Sequence, residues 1–188
     1  MPAKLHPVKL VLNTAVDPHF CALFSAENKL LQKISWENHR QDGQKVWDFL
    51  RTVDTKKITF AGGVSGPGGF SSLRAGAGIL NALSFAADIP VHQIRADRWM
   101  TAFLGHEDFL LNSFGSSVWH VEKGEIVRTE LTELPQKKYV TAFLPEAKRE
   151  GIVSRDADFS GLEKSLLTAL EKTEPQQGFH PDYEFPAV

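Results

Sequence analysis

A glycine turn carries the residue types best placed for chemistry. Ser65-Gly66-Pro67-Gly68-Gly69-Phe70-Ser71-Ser72 joins an apolar strand, Ile58 to Val64, to a helix over about Ser71 to Ala87, with Arg74 one turn into that helix. A strand feeding a Gly-rich turn that opens a helix can present backbone N–H groups to an anion. The turn is not a Walker A, because no Gly-Lys-Ser/Thr follows the glycines to reach a phosphate or a magnesium ion. It also lacks the full G-x-G-x-x-G register and the G-x-S-x-G elbow. A structural corner is therefore favoured over a nucleotide loop, with Ser71 and Ser72 as helix N-caps. Arg74 stays open between clamping a phosphate and making a structural salt bridge.

The remaining polar residues do not gather into a site. The seven histidines, at positions 6, 19, 39, 92, 106, 120 and 180, show neither H-x-x-x-H spacing nor a C-x-x-C partner, so no zinc site is expected. His106-Glu107-Asp108 reads as a solvated loop. Cys21 lies in an apolar strand without a basic neighbour and reads as a buried, inert thiol. No catalytic residue, metal or cofactor is expected.

Bulk properties narrow the class. At 188 residues the chain suits one medium domain or two small lobes. A net charge of −2, from 21 basic and 23 acidic side chains, supplies no field for avid nucleic-acid binding alone. The single cysteine excludes an internal disulfide and suits a reducing compartment. No apolar run approaches the ~20 residues of a membrane span. MPAKLHPVKL has no signal-peptide apolar core, so a soluble, cytoplasmic protein without membrane contact is expected.

The elements that position the glycine turn follow from periodicity. Val8 to Thr14, His19 to Phe24 and Leu30 to Trp36 read as a three-strand meander. A helix from about Gln44 to Val53, with Asp42 as a possible N-cap, puts Val46, Phe49, Leu50 and Val53 on one face. After the central strand and helix come a strand at Val91 to Ile94 and a helix at Ala96 to Leu104. The resulting β-β-β-α-β-α-β-α order is that of the ribonuclease H-like lobe shared by actin, Hsp70 and hexokinase, an inference by analogy about fold only. Residues 1–97 form this lobe. Residues 98–173 form a second, smaller and shortened α/β lobe, with strands at Phe109 to Phe114, Ser116 to Val121, Ile126 to Leu131 and Tyr139 to Phe143. Its helix runs from Asp158 to Lys172, with a Ser160/Glu163 capping box and a Leu162, Leu166, Leu170 stripe. Residues 174–188 are an irregular tail that packs on the body through Tyr183 and Phe185. No internal repeat is visible.

In proteins of this fold class the first strand carries an aspartate that helps hold a divalent ion against phosphate oxygens. Here Asn13 stands at that position, and Asp17 on the next turn reads better as a turn former before Pro18. ATP hydrolysis is not expected. The helix behind the glycine turn is the more informative element. Ala75, Gly78, Ala82 and Ala86 lie three or four apart on one side, while Leu73, Leu80 and Leu83 occupy other faces. Such a strip can accept another helix at close range, either helix one of the same chain or a second chain. As a partner face the two helices offer Val46, Trp47, Leu50 and Arg51 together with Ala75, Gly78, Ile79, Ala82 and Ala86.

From GPGGFSSLRAGAGILNALSFAADIPVHQI the chain resembles the bacterial TsaB (YeaZ) family. That family carries G-P-G-S-F-T-G-L-R, then a small-residue helix and an I-P strand; Gly66, Pro67, Gly68, Phe70, Leu73 and Arg74 match, while Gly69, Ser71 and Ser72 depart. VLNTAVDPHFCALFS, SWENHR and the closing Pro181, Tyr183 and Pro186 extend the likeness, which covers residues 8–97 well and the rest thinly. Asn13 departs from the family's aspartate, and little of its D-A-R-x-G-E-V-Y segment survives at 112–119. The resemblance implies a non-catalytic dimerisation subunit. It would activate a TsaD-type catalytic subunit, with a TsaE-type ATPase in the same complex, in threonylcarbamoylation of adenosine 37 of tRNA. Homodimerisation through helices one and two is also implied, with tRNA contacted only indirectly. The alternatives are a nucleotide-dependent phosphotransferase using GPGGF and Arg74, and a divergent homologue that only self-associates.

Overall fold

The structure, a computed structural model, describes residues 7–36, 42–105, 108–114, 117–130, 132–134, 139–141, 154–156 and 158–183. Its first sheet begins with three antiparallel strands, β1 (Val8–Asn13), β2 (His19–Ser25) and β3 (Leu30–Trp36). Helix α1 (Asp42–Leu50) leads through a 3-10 turn at Thr55–Lys57 into β4 (Ile58–Gly66). Helix α2 (Phe70–Ala87), β5 (Val91–Arg95) and α3 (Ala96–Leu104) follow. The β-β-β-α-β-α-β-α order expected from the sequence is the order found. The sheet runs β3-β2-β1-β4-β5, with β1 parallel to β4 and β4 parallel to β5.

Alternation along the strands explains how one sheet serves two layers. Successive side chains point to opposite faces, so Leu10 and Leu12 go one way and Val11 the other. Leu10, Leu12, Cys21 and Leu23 bury against Val46, Phe49 and Leu50 of α1 and Ala77, Leu80 and Leu83 of α2. Val11, Phe20, Ala22 and Phe24 bury against Trp99 and Met100 of α3 and the leucines of α4 (Leu162–Leu170). The same cluster takes in Phe109, Leu111, Trp119 and Val121 of the second sheet, so apolar packing is continuous between the sheets.

The second sheet comprises β6 (Phe109–Phe114), β7 (Ser117–Glu122), β8 (Glu125–Glu130), β9 (Tyr139–Thr141) and β10 (Ser154–Asp156). Read as β8-β7-β6-β9-β10, it repeats the β3-β2-β1-β4-β5 order of the first. The strand senses also match: an antiparallel meander on one side, parallel pairs on the other. The internal repeat that the sequence conceals is thus one of topology.

Three helix starts differ from the sequence reading. α2 begins at Phe70 behind Gly69, with no side-chain cap, so Ser71 and Ser72 lie inside the helix. α4 begins at Leu162 behind Gly161, which takes a left-handed conformation at φ 73° and replaces the expected Ser160/Glu163 box. Ser160 donates its N–H and O–H to Asp158 Oδ1, which holds that carboxyl below the usual carboxylate range, and Glu163 pairs with Lys33. Asp42 lies in α1 itself. SWENHR beyond Trp36, His106-Glu107, Gly115-Ser116, Phe185 and Pro186 fall outside the described residues.

Candidate functional site

At the end of β1 the side chain of Asn13 is committed to the turn that follows. Its Nδ2 donates to the carbonyls of Val16 at 2.7 Å and Pro18 at 3.0 Å. Its Oδ1 accepts the N–H groups of Ala15 at 3.1 Å and Val16 at 3.3 Å. An amide has two N–H donors and two oxygen lone pairs, so this fills its capacity. An aspartate could accept the two N–H groups but would face two carbonyls with no donor. The residue type is dictated by the turn, at the position where a metal-binding carboxylate was sought.

The glycine corner is a meeting of three backbones. A Cβ built on Gly66, whose φ is 130°, would lie 2.5 Å from the carbonyl oxygen of Asp182. One on Gly68 would lie 2.5 Å from the carbonyl oxygen of Ala15, and one on Gly76 would lie 2.4 Å from Thr14 Oγ1. The first two contacts are with backbone, which cannot yield as a flexible side chain can. The glycines therefore admit the β1–β2 turn and the C-terminal segment against the β4–α2 corner, which supports the corner reading over the phosphate loop. Gly76 also answers for part of the helix-propensity cost of about 1 kcal/mol that an interior glycine carries.

The C-terminal segment acts as a strap. Gln176 exchanges two backbone hydrogen bonds with Val91, at 2.8 and 2.9 Å. Asn81 on α2 clasps Phe179, donating to its carbonyl at 3.1 Å and accepting its N–H at 2.7 Å. Phe179 itself is buried beside α2 and β4. Asp182 then donates its N–H to Ser65 at 2.7 Å and pairs its carboxylate with Arg95, which also holds Asp97. Tyr183 reaches Phe70 with ring centroids 4.9 Å apart, and Arg74 lies over the other residue of that pair, 5.7 Å from the Phe70 centroid. Tyr183 thereby rests against the start of α2.

The proposed partner-face residues divide into two groups. Val46 and Leu50 are buried in the chain's own core, because the inward stripe of α1 includes them; they are unavailable to a partner. Ala75 and Ile79 are half-buried where α2 meets α1. Gly78, Ala82, Ala86 and Arg51 are exposed, and Trp47 keeps 51% of its surface. A Cβ on Gly78 would meet no atom within 4 Å, so this glycine is a notch on an open surface. Phe85, which the sequence reading passed over, stands 92% exposed in the same region. The signal for it was there: Phe85 lies two turns from Gly78, outside the inward set of Leu73, Leu80 and Leu83.

Other candidate groups are structural. Burial pushes the Cys21 thiol pKa up, keeping it protonated and unreactive. His92 stacks on Phe60 and meets Thr173, and His120 meets Thr129. Among the described residues no three His, Cys, Asp or Glu side chains are grouped to hold a metal, and no helix is long and apolar enough to cross a membrane.

No family model matches the sequence, and no curated protein matches it. Solved structures do. YeaZ from Pseudomonas aeruginosa superposes over 94% of this chain and 99% of its own, with a TM-score of 0.61 and 20% identity. An uncharacterized protein with similarity to peptidase YeaZ from Pseudomonas aeruginosa matches over 93% and 87%, with a TM-score of 0.49 and 16% identity. The chain has the fold of YeaZ, the actin-like, ribonuclease H-like architecture expected from its element order.

Proposed function

We propose that this chain is a non-catalytic docking subunit of the TsaB type. Its role is to bind and activate a TsaD-type catalytic subunit that, with a TsaE-type ATPase, threonylcarbamoylates adenosine 37 of tRNA. The observation that carries the reading is the open outer face of α2, with Gly78, Ala82 and Ala86 exposed beside Trp47 on a chain with the YeaZ fold. Exposed aromatic side chains next to a flat helical surface are the usual anchors of a protein interface. Reactivity is left to the partner, because Asn13 is spent on its turn and the corner glycines on backbone packing. The tRNA meets this subunit only through the complex. Residues 1–97 and 98–173 act as its two lobes, with the docking face on the first.

Co-expression tests the reading. The chain should co-purify with a TsaD-type subunit, and Gly78→Arg should abolish this while leaving the monomer folded and no less stable to heat, since the notch has room for the new side chain and arginine favours a helix over glycine. Retained co-purification of Gly78→Arg, or none by the native chain, would remove the proposal. A phosphotransferase would instead bind Mg-ATP at micromolar concentration in calorimetry and turn it over.

A further inference from the structure

The strap is held the way a receptor holds an extended peptide. Backbone groups do most of the gripping: those of Gln176 pair with Val91, and those of Phe179 with the Asn81 amide. The N–H of His180 donates to Gln93 Oε1 at 2.9 Å, and that of Asp182 to the Ser65 carbonyl. Every second residue of β5 from Val91 to Arg95 thus takes part, and the flank of α2 at Asn81 forms the opposite wall. Glycine makes the floor. The Phe179 ring packs over Gly63, where a Cβ would lie 3.5 Å from it, and the Asp182 carbonyl approaches Gly66.

In such sites main-chain bonds give affinity and side-chain pockets give selectivity. Three side chains of the strap fill that second role. Phe179 is buried with Leu80 and Leu83, Asp182 pairs with Arg95, and Tyr183 meets Phe70. The groove therefore reads the pattern F-x-x-D-Y. The hold is also a light one, because among residues 174–183 only Phe179 is buried. A segment with a single buried anchor belongs to the low-stability end of a fold. Its short tether to α4 offsets this by keeping it at an effective concentration of about millimolar.

We propose that the groove between α2 and β5 is a binding site for an extended segment of a partner protein, and that the strap is the ligand that fills it in the free chain. The segment it takes carries an aromatic residue for the Gly63 floor, a carboxylate three places on for Arg95, and an aromatic ring beside that for Phe70. Asn81 lies about 100° round α2 from Ala82. The site is thus separate from the docking face described above and does not depend on that reading.

A fluorescent peptide with the sequence of residues 174–183 is the probe, and its anisotropy with the full chain is the readout. Phe179→Ala weakens the strap and leaves the groove intact. That chain should bind the peptide about a hundredfold more tightly than the native chain, in which the tethered strap competes. Adding Asn81→Ala should weaken binding about tenfold, as should Asp182→Lys in the peptide. A peptide that keeps only Phe179, Asp182 and Tyr183, with serine elsewhere, should bind within about threefold of the original. If circular dichroism shows Phe179→Ala unfolded, Asp182→Lys in the full chain loosens the other end of the strap and carries the same comparison. No binding to the loosened chain, equal binding to native and loosened chains, or indifference to Asn81→Ala would each overturn the proposal. Failure of the serine-substituted peptide would overturn it too, because the groove would then fit its own tail alone.

Discussion

Gly76 and Gly78 are two residues apart on one helix and are kept for opposite reasons. Gly76 faces inward, and a methyl group there would press on Thr14 Oγ1 at 2.4 Å. Gly76→Ala should destabilise the fold by about 1–3 kcal/mol, the usual cost of overpacking. Gly78 faces open space, so Gly78→Ala should stabilise the monomer by about 0.5–1 kcal/mol through helix propensity. Urea unfolding of both variants in dilute solution checks the contrast. Asn13 gives a second prediction at this scale. Asn13→Asp would restore the carboxylate usual at this place in the fold class, yet remove both N–H donors from the carbonyls of Val16 and Pro18. It should cost about 1–3 kcal/mol and yield no ATP turnover, with denaturation and a phosphate-release assay as the readouts.

Helices and strands show where the sequence was legible. β1 to β5 and α1 to α3 announced themselves through apolar runs of strand length, helical stripes and turn residues between them. Val46 and Leu50 fitted the inward stripe of α1, and that pattern, more than any partner role, decides their place. β10 could not be read, because Ser154-Arg155-Asp156 is short and polar and is a strand only through its parallel partner β9. Gly161 concealed the start of α4, since a left-handed glycine cap looks from sequence like any loop glycine. The strap was sensed only as aromatic residues in a proline-rich tail. Its grip depends on Asn81, Gln93 and Ser65, distant residues that no local pattern links to it. Phe179→Ala should cost about 3–5 kcal/mol and loosen α2 with it, seen as faster amide exchange along Phe70–Ala87.

For the molecule as a whole, the doubled β-sheet order suggests two equivalent halves, but their independence differs. The first sheet draws its α3–α4 layer and its strap from residues 96–183, whereas α1 and α2 serve it alone. A fragment of residues 1–97 should therefore remain incompletely folded, binding a hydrophobic dye and showing no cooperative thermal transition. Adding residues 158–183 in trans should recover part of the transition by supplying α4 and the strap.

The strap also sets an order of events during synthesis. Phe179 and Asp182 lie 98 and 87 residues beyond their partners Asn81 and Arg95. On a ribosome that makes the chain from one end, Gly66 waits with its packing position empty until the second sheet has emerged. The corner is thus sealed late, and a stalled or prematurely terminated product would carry an unfinished first half that quality-control proteases can recognise.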